Sequence, residues 1–322
     1  MKTVLVCGAA GFIGKNVLER LLPRTDLRVV AVLHKTGLPG DLAGHPRLTT
    51  VYADLTRAEE VARALKGVDA VVQAAATTSG AKDIVNTPAH HVTDNAVMNS
   101  LLLRACHDAG VGHFLFFSCT VMYPDQARPV KETDFTGEVT DRYFGVGWTK
   151  VYVEKMCEFY ARLGRTRCTV MRHSNVYGPH DKYDLERSHV FGATVAKVMA
   201  AKDGKVVVWG EGTEARDLLY VADLVDFVEA ALDRQKTPFE LVNVGAGTAV
   251  SVAELVRRVI ARSGRPLSVE FDKTKPTIPF SLSVDRAKAK VLFGWEPKTG
   301  LDVGIDKSLA WYRDHVVKGA AA

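Results

Sequence analysis

The stretch "KTVLVCGAAGFIGKNVLERLL", residues 2–22, decides the reading of the chain. Its first half is a short apolar run that suits a strand covered on both faces. Its second half repeats apolar residues at helical spacing. Between them stand Gly8, Gly11 and Gly14. Glycines at a strand-to-helix junction allow a tight turn, close approach of a pyrophosphate and close helix–strand packing, and the helix N-terminus then faces the phosphates. The spacing G-x-x-G-x-x-G carries little weight alone. At the first such junction of an alternating chain it carries much more.

The chain does alternate. Strands are expected at 27–35, 48–55, 68–76, 113–119 and from 167, and helices at 58–67, 97–110 and 147–164. A Gly/Pro-rich loop covers 35–47, and Gly110 and Gly164 end two of the helices. This pattern predicts an α/β fold with a doubly wound parallel Rossmann sheet. After Gly178 the alternation loosens: helices at 189–201, 221–232 and 251–264, and a short strand at 205–210. Ser251 is expected as an N-cap, with Glu254 completing a capping box. The expected division is a dinucleotide-binding domain over 1–172, to which the chain returns at about 214–245. A smaller mixed C-terminal substrate lobe covers 173–213 and 246–322.

Composition narrows the function classes. Of 322 residues, 47% are hydrophobic and 25% charged, as in ordinary globular proteins. The net charge of +5 is modest and no basic run is interleaved with aromatics, so nucleic acid is not an expected partner. A mild basic excess suits an anionic small molecule. No apolar run reaches the ~18 residues of a membrane span, and glycines interrupt the apolar N-terminus as a signal core. Five scattered Cys without a CxxC pair point to reduced thiols and a cytoplasmic location. His90–His91 and Pro179–Asp181 do not make a metal-ligand set.

An acidic residue closing the second strand would bind the adenosine ribose and mark NAD. Here that strand ends with His34 and Lys35. These suit a 2′-phosphate, so NADP(H) is favoured over NAD(H), although both side chains also suit a solvated loop. Asp54 stands where an adenine contact fits.

Several further runs follow in order: "AAA" at 74–76, "FLFFSCTVMYP" at 114–124, "TKVYVEKMCEFY" at 149–160, "SNVYGPHDKYDLERSHV" at 174–190, "VVVWGEGTEARDLLYVADL" at 206–224 and "FGWEPKTGL" at 293–301. Over nearly its whole length the chain resembles the extended short-chain dehydrogenases/reductases that act on nucleotide sugars, most of all their GDP-sugar epimerase/reductase branch. The resemblance implies a homodimer built through the helices at 97–110 and 149–164. It implies that Phe12 and Ile13 join the glycines at the cofactor, with Leu55 beside Asp54 and with Ala74, Ala75, Ala76 and His173. It implies that Lys150 holds the nicotinamide ribose, that Asn175 touches the sugar, and that His189 exchanges a proton at a ring carbon. Lys197, Trp209 and Arg216 would line the nucleotide-sugar pocket. Each has a structural alternative: His189 as a helix cap, Arg216 in an ion pair with Asp217 or Asp223, Trp209 as core.

The departures matter as much. The family's catalytic Ser falls on Cys119, with Thr120 next to it, and its epimerisation Cys falls on Val121. Its catalytic Tyr, four residues before the Lys, falls on Val146. Tyr143 lies seven residues before Lys150, and Gly145 and Gly147 are expected to keep the helix from reaching it. Two function classes stay open. One is an enzyme that epimerises or reduces a keto-deoxy nucleotide sugar, with Thr120 and Cys119 at the sugar oxygen. The other is a binding protein that holds cofactor and nucleotide sugar without chemistry.

Overall fold

Seven parallel strands carry the fold in this computed structural model, which describes residues 1–77, 88–185, 188–275 and 280–317. They are β1 (Lys2–Cys7), β2 (Leu27–Leu33), β3 (Leu48–Tyr52), β4 (Ala70–Gln73), β5 (His113–Ser118), β6 (Arg167–His173) and β10 (Phe239–Val244). Their spatial order is β10-β6-β5-β4-β1-β2-β3. Between β1 and β4 the chain order reverses, and a crevice opens there at the strands' carboxyl ends.

Both faces of this sheet are covered, which explains why β4 and β5 are buried along their whole length. Alternate residues of β1 serve opposite cores. Val4 and Val6 pack with α1 (Phe12–Leu21), α7 (Val221–Arg234) and α9 (Ala287–Phe293). Leu5 and Cys7 pack with α3 (Ala58–Ala64), α4 (Thr93–Ala109) and α5 (Phe144–Arg162). The loop at 35–47 contains one helical turn, α2 (Gly40–Ala43).

At Ser174 the chain leaves this sheet. The strand expected from 167 is β6, and after it β7 (Asn175–Tyr177) pairs with β9 (Ala215–Tyr220) in a second sheet with β11 (Ala249–Ser251) and β13 (Ser281–Leu282). The strand β8 (Lys205–Trp209) pairs in parallel with β12 (Ser268–Asp272). Around them, α6 (Val190–Ala200), α8 (Val252–Ser263) and α10 (Leu301–Tyr312) share a third core that includes Phe191, Val256 and Ile305.

Two expectations are corrected. The helix carrying Lys150 begins at Phe144, before both glycines, and Tyr143 is its N-cap residue. The glycines belong inside it because there is no room for more. A Cβ on Gly145 would stand 2.9 Å from Val92 Cγ2, and one on Gly147 would stand 2.5 Å from Val139 Cγ1. The capping box at α8 is half made. Ser251 accepts from the Glu254 backbone N–H at 3.1 Å, but the Glu254 carboxylate turns to Arg258 at 2.7 Å. No helix among the described residues is long and apolar enough to cross a membrane.

Candidate active site

The glycine loop closes the lower end of the crevice. Gly8 has φ +69°, a conformation that favours glycine, and a Cβ there would stand 2.7 Å from Ala75 backbone atoms. A Cβ on Gly14 would stand 2.1 Å from the Gly8 carbonyl oxygen. At Gly11 a Cβ would press the Gly8 carbonyl oxygen at 3.1 Å, and no other atom of the described residues would stand within 4 Å of it. Phe12, Ile13 and Gly14 open α1, whose first N–H groups lack helical partners, and no acidic side chain stands in that first turn. The cradle therefore fits the pyrophosphate of a dinucleotide.

The other predicted cofactor residues lie at the same end of the sheet. His34 and Lys35 follow β2 and are exposed. Asp54 follows β3, and its Oδ1 accepts from the Thr56 N–H at 2.9 Å and hydroxyl at 2.7 Å. Those bonds, with His34 nearby, hold its carboxyl below the usual range. Leu55 is buried in the core against α3 and α4. Ala74, Ala75 and Ala76 continue β4, and the loop beyond is pinned by Asn95, which bonds Thr77 from both sides: the Thr77 N–H donates to Oδ1 at 3.0 Å, and Nδ2 donates to the Thr77 carbonyl at 2.9 Å.

Lys150 stands at the centre. Its Nζ donates to the Phe117 carbonyl at 2.7 Å and lies 4.8 Å from the Phe116 ring centre. Burial holds its ammonium below the usual lysine pKa, while Cys119 and Glu154 nearby act the other way. One helical turn earlier, where a phenol would stand, Val146 and Lys150 instead line a narrow cavity of about 30 Å³ with Thr149, Asn95 and Asn99.

Cys119 and Thr120 follow β5. Burial pushes the Cys119 thiol up, against the pull of Lys150 and of the Val121 N–H. The thiol is thus a hydrogen-bond donor rather than a thiolate. His173, at the end of β6, is pushed down to about 4 by burial, with Lys150 and His189 adding to the effect. Its Nδ1 faces the Ser174 carbonyl at 2.8 Å, so the proton sits there and Nε2 is the bare nitrogen. His189 occupies the N-cap position of α6 but makes no capping bond with its side chain. Burial, helped by Lys182, lowers its pKa and keeps the imidazole neutral near pH 7.

Tyr143 belongs to a different neighbourhood. Its ring meets Phe280 edge-on at 6.5 Å, and Arg216 lies 5.7 Å from the same Phe280 ring. The Arg216 guanidinium donates to the Ala215 carbonyl at 2.9 Å and to the Phe280 carbonyl. The carboxylates of Asp217 and Asp223 accept from backbone N–H groups: Asp217 from Ala246, Gly247 and Val284, Asp223 from Lys298 and Thr299. Asn175 lies on β7, paired with Leu218. Trp209 is no core residue, being 51% exposed, and it lines a second cavity of about 160 Å³ with Lys197.

Sequence reasoning missed the support beneath Lys150. Glu154, one turn after it on α5, is 3% exposed and takes a forked ion pair from Arg172, with Nη2–Oε2 at 2.6 Å and Nε–Oε1 at 3.0 Å. Ser118 donates to the same carboxylate at 2.5 Å. Arg172 also donates to the Tyr123 hydroxyl at 3.0 Å, which in turn donates to Asn243 at 2.7 Å. The i, i+4 spacing of Lys150 and Glu154 was the available signal, since it places both on one helix face.

The model of the family described as "NAD dependent epimerase/dehydratase family" matches residues 4–245. A dTDP-4-dehydro-6-deoxy-D-allose reductase of Streptomyces bikiniensis is 30% identical over 98% of this chain and 97% of its own. A GDP-L-fucose synthase of Sinorhizobium fredii is 31% identical over 95% of this chain and 94% of its own. Among solved structures, the UDP-glucose 4-epimerase of Thermotoga maritima with UDP-glucose is similar with a TM-score of 0.85 and 25% identity, covering 98% of this chain and 99% of that one.

Proposed function

This chain belongs to the NAD dependent epimerase/dehydratase family, and from that premise we propose that it epimerises a keto-deoxy nucleotide sugar, GDP-linked, with NADP(H)-dependent reduction as the accompanying reaction. One observation carries the reading. Lys150 keeps its buried position and polar support, while the position of the phenolic acid is taken by Val146 in the adjoining cavity wall. A site built this way holds a cofactor and handles protons at carbon more readily than it delivers one to oxygen.

In this reading Gly8, Gly11, Phe12, Ile13 and Gly14 hold the pyrophosphate, and Lys150 holds the ribose hydroxyls. His34 and Lys35 face the 2′-phosphate, Asp54 and Leu55 border the adenine, and Ala74 to Ala76 with His173 border the nicotinamide. Bound nicotinamide supplies the hydride of the reductive reaction. The sugar lies against Asn175, with Arg216 and Lys197 toward the diphosphate and Trp209 against the base.

His189, neutral near pH 7, takes the proton from the carbon next to the ketone. The electron pair left behind moves to the ketone oxygen, where the Thr120 hydroxyl and the protonated Cys119 thiol donate. A water on the opposite face gives the carbon its new proton, and His189 releases the one it took to solvent, which completes the epimerisation and returns the site to its starting state. Self-association uses α4 and α5, whose outward Val97, Tyr152 and Phe159 are 39%, 48% and 56% exposed; sedimentation at working concentration reads it.

The test is incubation with a 4-keto-6-deoxy GDP-sugar in heavy water, without cofactor, with NADPH and with NADH. Deuterium should enter a ring carbon, the entry should vanish in His189→Asn, and Tyr143→Phe should change it little. NADPH should bind more tightly than NADH, by a margin that shrinks with salt because the contact is ionic. No exchange and no NADPH oxidation would turn the reading to a binding protein. Loss of exchange in Tyr143→Phe would move the acid to Tyr143.

A further inference from the structure

We infer that Glu214 selects the nucleobase and that the base it selects is guanine, an inference that rests on the nucleotide-sugar reading above. The second cavity, about 160 Å³, lies between α6, β8 and α8. Its walls are largely valine, and Trp209 stands at its rim, 51% exposed. An exposed indole beside an apolar slot is a stacking plate for a flat ring.

Thr194, Lys197 and Glu214 are among the residues that line this cavity, and their side chains are not equally free. The Thr194 hydroxyl is spent on the Val190 carbonyl at 2.7 Å. Lys197 donates to the Val207 carbonyl at 3.2 Å and lies 5.5 Å from the Trp209 ring centre. Glu214 differs. Its backbone carbonyl accepts from the Val252 N–H at 2.9 Å, and its charge acts on the Arg216 guanidinium, but among the described residues its carboxylate makes no hydrogen bond or ion pair at bonding distance. The side chain left to read a base edge is therefore an acceptor with two oxygens.

That chemistry discriminates. Guanine alone among the common bases carries two adjacent donors on one edge, N1–H and the 2-amino group, which match a carboxylate bidentately. Uracil and thymine offer one N3–H between two carbonyls whose lone pairs face the carboxylate unfavourably. Adenine and cytosine place an acceptor nitrogen beside their amino group. Specificity then comes from repulsion of the wrong edge as well as attraction of the right one.

The test is calorimetric titration of the intact protein with GDP, IDP, UDP and dTDP. IDP is the direct probe, since it lacks only the 2-amino group. The wild type should bind GDP about tenfold or more tightly than IDP and than UDP, since a bidentate pair is worth about that factor. In Glu214→Gln the GDP-over-IDP ratio should fall toward one and UDP should gain, because an amide offers an acceptor and a donor side by side. Trp209→Ala should weaken all four alike. A wild type that binds UDP or dTDP as tightly as GDP, or a Glu214→Gln variant with an unchanged GDP-over-IDP ratio, overturns the role of Glu214 alone. Failure of all four nucleotides to bind overturns the nucleotide-sugar reading with it.

Discussion

Replacing Lys150 by Met separates a lysine kept for a ligand from one kept for the fold. The two side chains have similar length, so packing against Phe116 is largely retained. What is lost is the 2.7 Å hydrogen bond to the Phe117 carbonyl and the positive charge. What is relieved is the burial of an ammonium group, whose pKa the fold holds below 10.5. A lysine with a lowered folded pKa binds its proton less tightly when folded than when unfolded. The wild type therefore gains stability as pH rises toward 10.5. That bond, from a charged group, is worth about 1.5–3 kcal/mol, and relief of the ammonium's burial offsets part of its loss, so the ligand-free variant should unfold within about 3 kcal/mol of the wild type at neutral pH. The wild type should pull ahead as the pH is raised. With cofactor the balance changes, because a hydrogen bond from a charged group to a ribose hydroxyl is worth about 1.5–3 kcal/mol. NADPH affinity should thus fall roughly 10- to 150-fold. Urea unfolding of the ligand-free protein, paired with fluorescence titration of NADPH, reads both quantities. A variant that loses several kcal/mol of stability yet binds NADPH as tightly as the wild type would refute this account of Lys150.

Three further outcomes follow from the Glu154 ion pair and the glycine loop. Glu154→Ala leaves Arg172 charged in a site where the pair is 3% and 4% exposed, and should cost about 3–5 kcal/mol in urea unfolding; a loss under about 1 kcal/mol would contradict a buried pair. Gly11→Val should weaken NADPH and NADH alike in titration and should cost the fold less than Gly14→Ala, since its Cβ would press the Gly8 carbonyl oxygen at 3.1 Å rather than 2.1 Å. By contrast Gly14→Ala, with backbone at 2.1 Å, should unfold at lower denaturant.

The large sheet was legible because two independent signals agreed on it: glycines that only a tight strand–helix junction requires, and strands apolar throughout because helices cover both faces. The smaller lobe was not, because its strands are short and half-exposed. Asn175–Tyr177, Ala249–Ser251 and Ser281–Leu282 become strands only by pairing with β9 or its neighbours, distant in sequence. The start of α5 was misread because glycine lowers helix propensity, and propensity yields to packing against Val92 and Val139. Lys150 and the glycine loop were visible as local patterns. Glu214 was not, since the cavity that gives it meaning is assembled from α6, β8 and α8, and no spacing along the chain reports that.

The seventh strand has a cost during synthesis. β6 ends at His173 and its outer neighbour begins at Phe239, so the apolar edge of β6 waits unpaired while the stretch between is made. At about 5–20 residues per second that wait is roughly 3–13 s on the ribosome. Throughout it the nascent chain presents a buried-type strand with free N–H and C=O groups, a template for pairing with any other chain. Yield in the cell should therefore depend on what shields this edge until residue 244 has emerged.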